Sequence, residues 1–150
     1  MSARTVLTTA AASILAAGAL TTMTTSAADA SATGVEPFPG GYTVTTKYGD
    51  VTVPPGELDH GVTGEGLFVE SQAAGFTTVP ALCNWTMTYE LRDLEGNVKS
   101  SVTRDPGSRC DTNVNAPGVV WNKTTVPGRA CAILKVGSAV IAQQCHQVAG

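Results

Sequence analysis

The stretch CNWTMTYELRD, Cys83 to Asp93, carries the clearest pattern in the chain. Cys83, Trp85, Met87, Tyr89 and Leu91 fall on one side of a two-residue period, and Asn84, Thr86, Thr88, Glu90 and Arg92 on the other. That period belongs to a pleated strand, whose successive side chains point to opposite faces. The stretch therefore reads as a strand with an oily face and a wet face, as antiparallel sheets permit. Trp85 is expected in the core with Cys83 and Leu91.

Working outward, Leu91 to Val98 reads as a hairpin turn, with Gly96 free to take positive φ, and Val98 to Thr103 as the partner strand. Folding back there brings the chain beyond Arg104 towards Cys83, near enough for Cys110 to bridge to it. The four cysteines are Cys83, Cys110, Cys131 and Cys145. An even number in an exported chain implies two disulfides, and the pairings Cys83–Cys110 and Cys131–Cys145 are favoured. The second depends on a loop length. In CAILKVGSAVIAQQC a three-residue loop, Gly137 to Ala139, sets Cys131 opposite Cys145, whereas a two-residue loop puts them on opposite faces. There is no C-x-x-C, so neither a zinc site nor a redox dithiol is expected, and no metal or cofactor is implied.

Export is expected from the first thirty residues. Arg4 precedes an apolar run from Val6 to Leu20, and Ala28-Asp29-Ala30 fits the small-x-small cleavage rule. Residues 1–30 thus read as a secretory signal peptide, 31–40 as a flexible tail containing Pro37 and Pro39, and 41–150 as one disulfide-bonded β domain. The apolar run is short for a membrane span, which takes about 20 residues. Removing one base (Arg4) and one acid (Asp29) from the 9 and 12 of the whole chain leaves 8 and 11, a net charge of -3. That balance argues against nucleic acid and anionic membranes as partners. Acids crowd the first half of the mature chain, from Glu36 to Glu70, and none follows Asp111. Folding is expected to interleave the two regions and erase the asymmetry, the alternative being a functional acidic face.

The rest is punctuated by turn residues. Tyr42 to Val53 reads as a hairpin ended by Pro54-Pro55, and Gly56 to Gly66 as a glycine-rich loop. Leu67–Glu70 and Phe76–Val79 read as short strands, and Arg104–Gly118 as turn throughout. Val119–Val126 and a final hairpin, Ala130–Val148, complete the domain. No segment keeps a helical period. Seven or eight short strands predict an all-β fold: an antiparallel β-sandwich, with an immunoglobulin-like topology as one possibility, or a partly open barrel. The antibody fingerprint is missing, because Trp85 lies only two residues beyond Cys83.

The segment GRACAILKVGSAVIAQQCHQV, Gly128 to Val148, together with the Ala/Thr-rich leader, resembles small secreted proteins of actinobacteria. Many of those end in a cysteine-containing hairpin finishing in a Q-C-H-type stretch. The resemblance implies a secreted β domain and carries no functional residue across.

Candidate sites are sparse. His60 stands among Glu57, Asp59 and Glu65, but the spacing matches no EF-hand loop or H-E-x-x-H, and a solvated turn accounts for it. His146 lacks an activated serine partner, and G-x-S-x-G is absent. Arg104-Asp105-Pro106-Gly107-Ser108-Arg109-Cys110 reads as a β-turn, with the alternative of a disulfide-anchored loop offering Arg104 or Arg109 to a trypsin-like protease. Trp121 is placed in the core, and exposure beside Tyr42 or Tyr48 would instead suggest a sugar platform. Asn84-Trp85-Thr86 and Asn122-Lys123-Thr124 match the N-x-[ST] rule. The sequence therefore predicts a monomeric, non-catalytic, extracellular β protein binding an unidentified protein or glycan. A secreted protease inhibitor comes next, and an extracellular hydrolase third.

Overall fold

The computed structural model describes residues 31–150. The expected signal peptide lies outside the described residues. Ten strands follow in order: β1 (Ala32–Phe38), β2 (Tyr42–Thr46), β3 (Gly49–Val53), β4 (Gly56–Glu65), β5 (Phe68–Cys83), β6 (Trp85–Asp93), β7 (Val98–Arg104), β8 (Cys110–Thr124), β9 (Gly128–Val136) and β10 (Ala139–Val148). They form two four-stranded antiparallel sheets, ordered β1-β4-β5-β8 and β10-β9-β6-β7, with β2 and β3 as a separate ribbon. This is the all-β, sandwich-like arrangement read from the sequence, and the described strands do not close into a barrel.

The inward faces supply the core. Leu58, Phe76 and Val114 of one sheet meet Trp85, Met87, Tyr89 and Leu134 of the other, all nearly or wholly sequestered from solvent. Phe76 and Trp85 meet edge to face with ring centroids 5.2 Å apart, a geometry the aromatic quadrupole favours. Each such side chain contributes about 1.5–3 kcal/mol through burial. The Tyr89 hydroxyl accepts the Ala74 backbone N–H at 3.1 Å, tying the sheets together where β5 bulges against β8.

The opening stretch needs correcting in two respects. It is not one strand: Cys83 ends β5 in one sheet, Asn84 turns the chain with φ 55°, and Trp85 begins β6 in the other. Nor is its polar face wet, since Thr88 and Glu90 are buried. The strand β6 lies between β7 and β9, so Thr103 and Ile133 flank Thr88 on the outer face. The Glu90 carboxylate is neutralised by Arg92 at 2.6 Å.

Three further expectations fail for one reason. Residues 31–40, read as a flexible tail, supply edge strand β1, paired from Ala32↔Val62 to Phe38↔Gly56. Gly56–Gly66, read as a loop, is mostly β4, whose Leu58, His60 and Val62 point inward. Arg104–Gly118, read as turn throughout, contains the first half of β8. In each case glycines, prolines and acids occupy positions where a neighbouring strand approaches closely or the ladder bulges. A side chain at Gly64 would run into the Phe68 backbone carbonyl, and Pro80 sits where the β5–β8 register is interrupted. The acid-rich and acid-free regions mix only in part, since Lys123 on β8 pairs with Val69 beside Glu70 in the acid-bearing sheet. Glu57 and Asp59 ride on β4 in one sheet, Arg129 and Lys135 on β9 in the other.

Both favoured disulfides are present, Cys83–Cys110 and Cys131–Cys145. The second arises by a route the sequence reading excluded. The β9–β10 turn holds only Gly137 and Ser138, and Val136 pairs with Ala139. A β-bulge at Ile141 then shifts the register by one residue, so that Cys131 meets Cys145 after all.

Candidate functional site

The β2–β3 ribbon leans over one end of the sandwich and encloses an open cleft of about 420 Å³. Its lining includes Tyr48, Asn84, Thr86, Asp105, Gly137 and Ser138. Tyr48 stands at the ribbon's tip because Thr46 builds the turn. The Thr46 hydroxyl donates to the Gly49 carbonyl at 2.8 Å and accepts the Tyr48 N–H at 3.1 Å. Gly49 completes the turn at φ 108°, where a β-carbon would be strained. Thr45 donates to Asp50 across the ribbon at 2.8 Å. The tip rests on the β9–β10 turn, since a side chain at Gly137 would meet the Thr46 methyl at 3.3 Å.

The opposite wall comes from the crossover between sheets. Asn84 holds a left-handed backbone conformation that costs a residue other than glycine about 1 kcal/mol. Its backbone N–H donates to the Arg109 carbonyl at 3.0 Å, beside the Cys83–Cys110 bridge. The Asn84 side-chain amide has no hydrogen-bond partner among the described residues and borders the cleft. The floor of the 105–107 turn is set by Asp105, which accepts the Gly107 N–H at 2.8 Å. Chemically, the cleft offers one exposed aromatic ring with the Lys47 ammonium 4.8 Å from its centroid, several hydroxyls, a free amide and one carboxylate, so that one charge of each sign lines it. It suits a neutral, hydroxyl-rich ligand: the ring takes an apolar face and the amide and hydroxyls take the polar edges.

A second polar cluster is buried between the sheets. His60 on β4, expected in a solvated turn, is 2% exposed. It stacks on His146 of β10 with centroids 5.0 Å apart and rings inclined by 26°. Burial first, and then the neighbouring His146, push its pKa from 6.5 down to about 4. The His146 Nε2–H donates to the His60 backbone carbonyl at 3.1 Å, joining one sheet to the other. The Gln72 amide completes the cluster. In the orientation that satisfies its neighbours, its oxygen accepts Trp121 Nε1–H at 3.0 Å, and its nitrogen donates to the Cys131 carbonyl and to His60 Nε2, each at 3.1 Å. His60 then carries its proton on Nδ1, which has no hydrogen-bond partner.

The sequence candidates thus scatter. His60 is a core residue. Trp121 is half-buried, packed against both hydrophobic clusters and committed to Gln72. Arg104 donates to the Pro117 and Gly118 carbonyls, at 3.4 and 3.0 Å. Arg109 grips Asp111 through two contacts of 2.7 Å and lies over the Trp85 ring. Asp111 also accepts Trp85 Nε1–H at 2.7 Å, and its pKa is lowered, first by Arg109. Sequence reasoning missed Gln72, and it named Tyr48, Asn84 and Asp105 separately without bringing them into one cleft. For Asn84 the available signal was a polar residue between two apolar positions of different sheets. Among the described residues no group of three His, Cys, Asp or Glu is arranged to hold a metal. No protein-family model, curated protein or solved structure matches the chain.

Proposed function

We propose that the chain acts outside the cell as a non-catalytic binding module whose cleft beneath the β2–β3 ribbon takes a neutral saccharide. The observation that carries this reading is the Asn84 amide, held at the cleft wall in a costly backbone conformation with no partner of its own. Tyr48, 54% exposed at the ribbon tip with Lys47 over one side of its ring, adds an aromatic ring of the kind that sugars stack upon. The two disulfides suit an oxidising compartment. A single carboxylate lines the cleft, and it is already engaged in a turn, whereas glycoside hydrolysis employs a pair. The inhibitor alternative loses support because both arginines of its loop are tied to the protein's own acceptors. The test is binding of extracellular and cell-wall polysaccharide fractions, followed by calorimetry. Tyr48→Ala and Asn84→Gly should each abolish binding, and Asn84→Gly should leave the fold intact because glycine accepts φ 55° without strain. Binding that survives both substitutions, or no binding to any fraction, overturns the proposal.

A further inference from the structure

The imidazole pair, His60 buried and His146 half-buried, does something for which a hydrophobic core has no need. His60 and His146 lie face to face between the β1–β4 edge of one sheet and β10 of the other, where two leucines would pack without cost. The space is made for them. On β1, Gly34 sits opposite His60, and a side chain there would collide with Gln144 and come within 3.0 Å of His146.

No charge is provided to compensate a proton. From β1, Glu36 lies two residues from Gly34 and is exposed; from β4, Asp59 points to the outer face. Tyr89 is the titratable group that β6 presents inward, and its hydroxyl is bonded to the Ala74 N–H. Glu90 and Arg92 of β6 point outward and pair with each other, and Arg129 of β9 lies on the outer face opposite Arg92. The strand β5 presents Gln72, which is neutral, and β8 presents Trp121. Neither imidazole takes part in an ion pair; those among the described residues are Arg92–Glu90, Lys99–Asp93 and Arg109–Asp111.

We propose that the His60–His146–Gln72 cluster is an acid-sensitive fastening between the sheets, which loosens the seam between the β1–β4 edge and β10 when an imidazole takes up a proton. The chemistry runs through Gln72. A proton on His60 must go to Nε2, where the Gln72 amide already donates, so two donors would confront each other. Turning the amide over relieves that contact but leaves Trp121 Nε1–H and its own nitrogen without good acceptors, the Glu90 carbonyl being 3.4 Å away. Orphaned buried donors and a like-charged neighbour both favour separation of the sheets.

The direction follows from linkage. The unfolded chain binds the proton near pH 6.5 and the folded chain near pH 4. Stability is therefore complete above pH 6.5 and is lost as the pH falls towards 4. From pH 6.5 to 4.5 the opening equilibrium should rise roughly thirtyfold. Hydrogen exchange, corrected for intrinsic rates, is the measurement. Amides of β1, β4 and β10 should lose protection by about that factor while those at the centre of β6 and β9 lose much less, and His60→Gln should abolish the difference. Uniform loss of protection across all strands, or an unchanged pH slope in His60→Gln, overturns the proposal. If that variant does not fold, the ring signals of the two histidines in the intact chain decide, with His146→Gln assigning them. A His60 ring titrating at its ordinary value refutes the fastening, and a midpoint depressed by more than one unit supports it.

Discussion

Deleting Ile141 tests the register argument directly. The bulge there converts a two-residue turn into a register in which Cys131 faces Cys145. The bulge holds one extra residue, so deleting Ile141 lets Ala142 follow Val140 opposite Leu134 in regular register, and Cys145 still faces Cys131. The Cys131–Cys145 bridge spans 14 residues, and closing a loop of that size restricts the unfolded chain by about 3 kcal/mol. Ile141 is itself 8% exposed in the core cluster, and its loss removes about 2 kcal/mol of burial. The deletion keeps the bridge and should therefore cost only the isoleucine share, about 2 kcal/mol in urea unfolding, lowering the melting temperature by roughly 6–12 °C. Thiol titration of the native variant should find no reactive sulfhydryl. Inserting one glycine between Gln143 and Gln144 of the intact chain, by contrast, carries Cys145 one position past Cys131 and onto the other face, and should free two sulfhydryls and remove about 3 kcal/mol. The reasoning is refuted if the deletion variant has titratable thiols, or if the insertion variant has none.

Other perturbations separate the kinds of contact that hold the fold. Gly128→Ala drives a β-carbon into the Arg92 carbonyl across the β6–β9 pair, a backbone obstruction, whereas Gly34→Ala meets the flexible end of Gln144. Thermal melts should show the first losing about 2–4 kcal/mol and the second about 1. Gln72→Leu leaves Trp121 Nε1–H without its acceptor and His60 Nε2 without its donor and should cost about 2–3 kcal/mol, with the tryptophan emission shifted by the altered indole environment. Asp93 accepts hydrogen bonds from the Asn97 backbone and side chain and pairs with Lys99, which hold its carboxyl well below the ordinary 3.8. Its contribution is present above that value and disappears as the pH falls below it. Asp93→Asn should accordingly destabilise the protein at pH 7, and its melting curve should converge on that of the unsubstituted protein towards pH 2.

What the sequence determined by itself was everything that depends on neighbours along the chain. The two-residue period from Trp85 to Leu91 required a strand with one buried face, Gly96 marked the β6–β7 turn, and four cysteines with irregular spacing implied two bridges. Those features are local, so they survive without knowledge of what lies alongside. The tertiary structure decided the rest. Leu58, His60 and Val62 alternate as regularly as the opening stretch, but the glycines and acids between them mask a strand that is stable only because β1 and β5 flank it. The Ile141 bulge is set by the pairing of β9 with β10, and a histidine becomes a buried partner of another only when β4 and β10, 86 residues apart at His60 and His146, close on each other. The cleft has the same character, since Tyr48, Asn84 and Asp105 come from three separate segments. Side-chain periodicity reports which way a residue points relative to its own strand, and only the non-local pairing of strands determines what it points at.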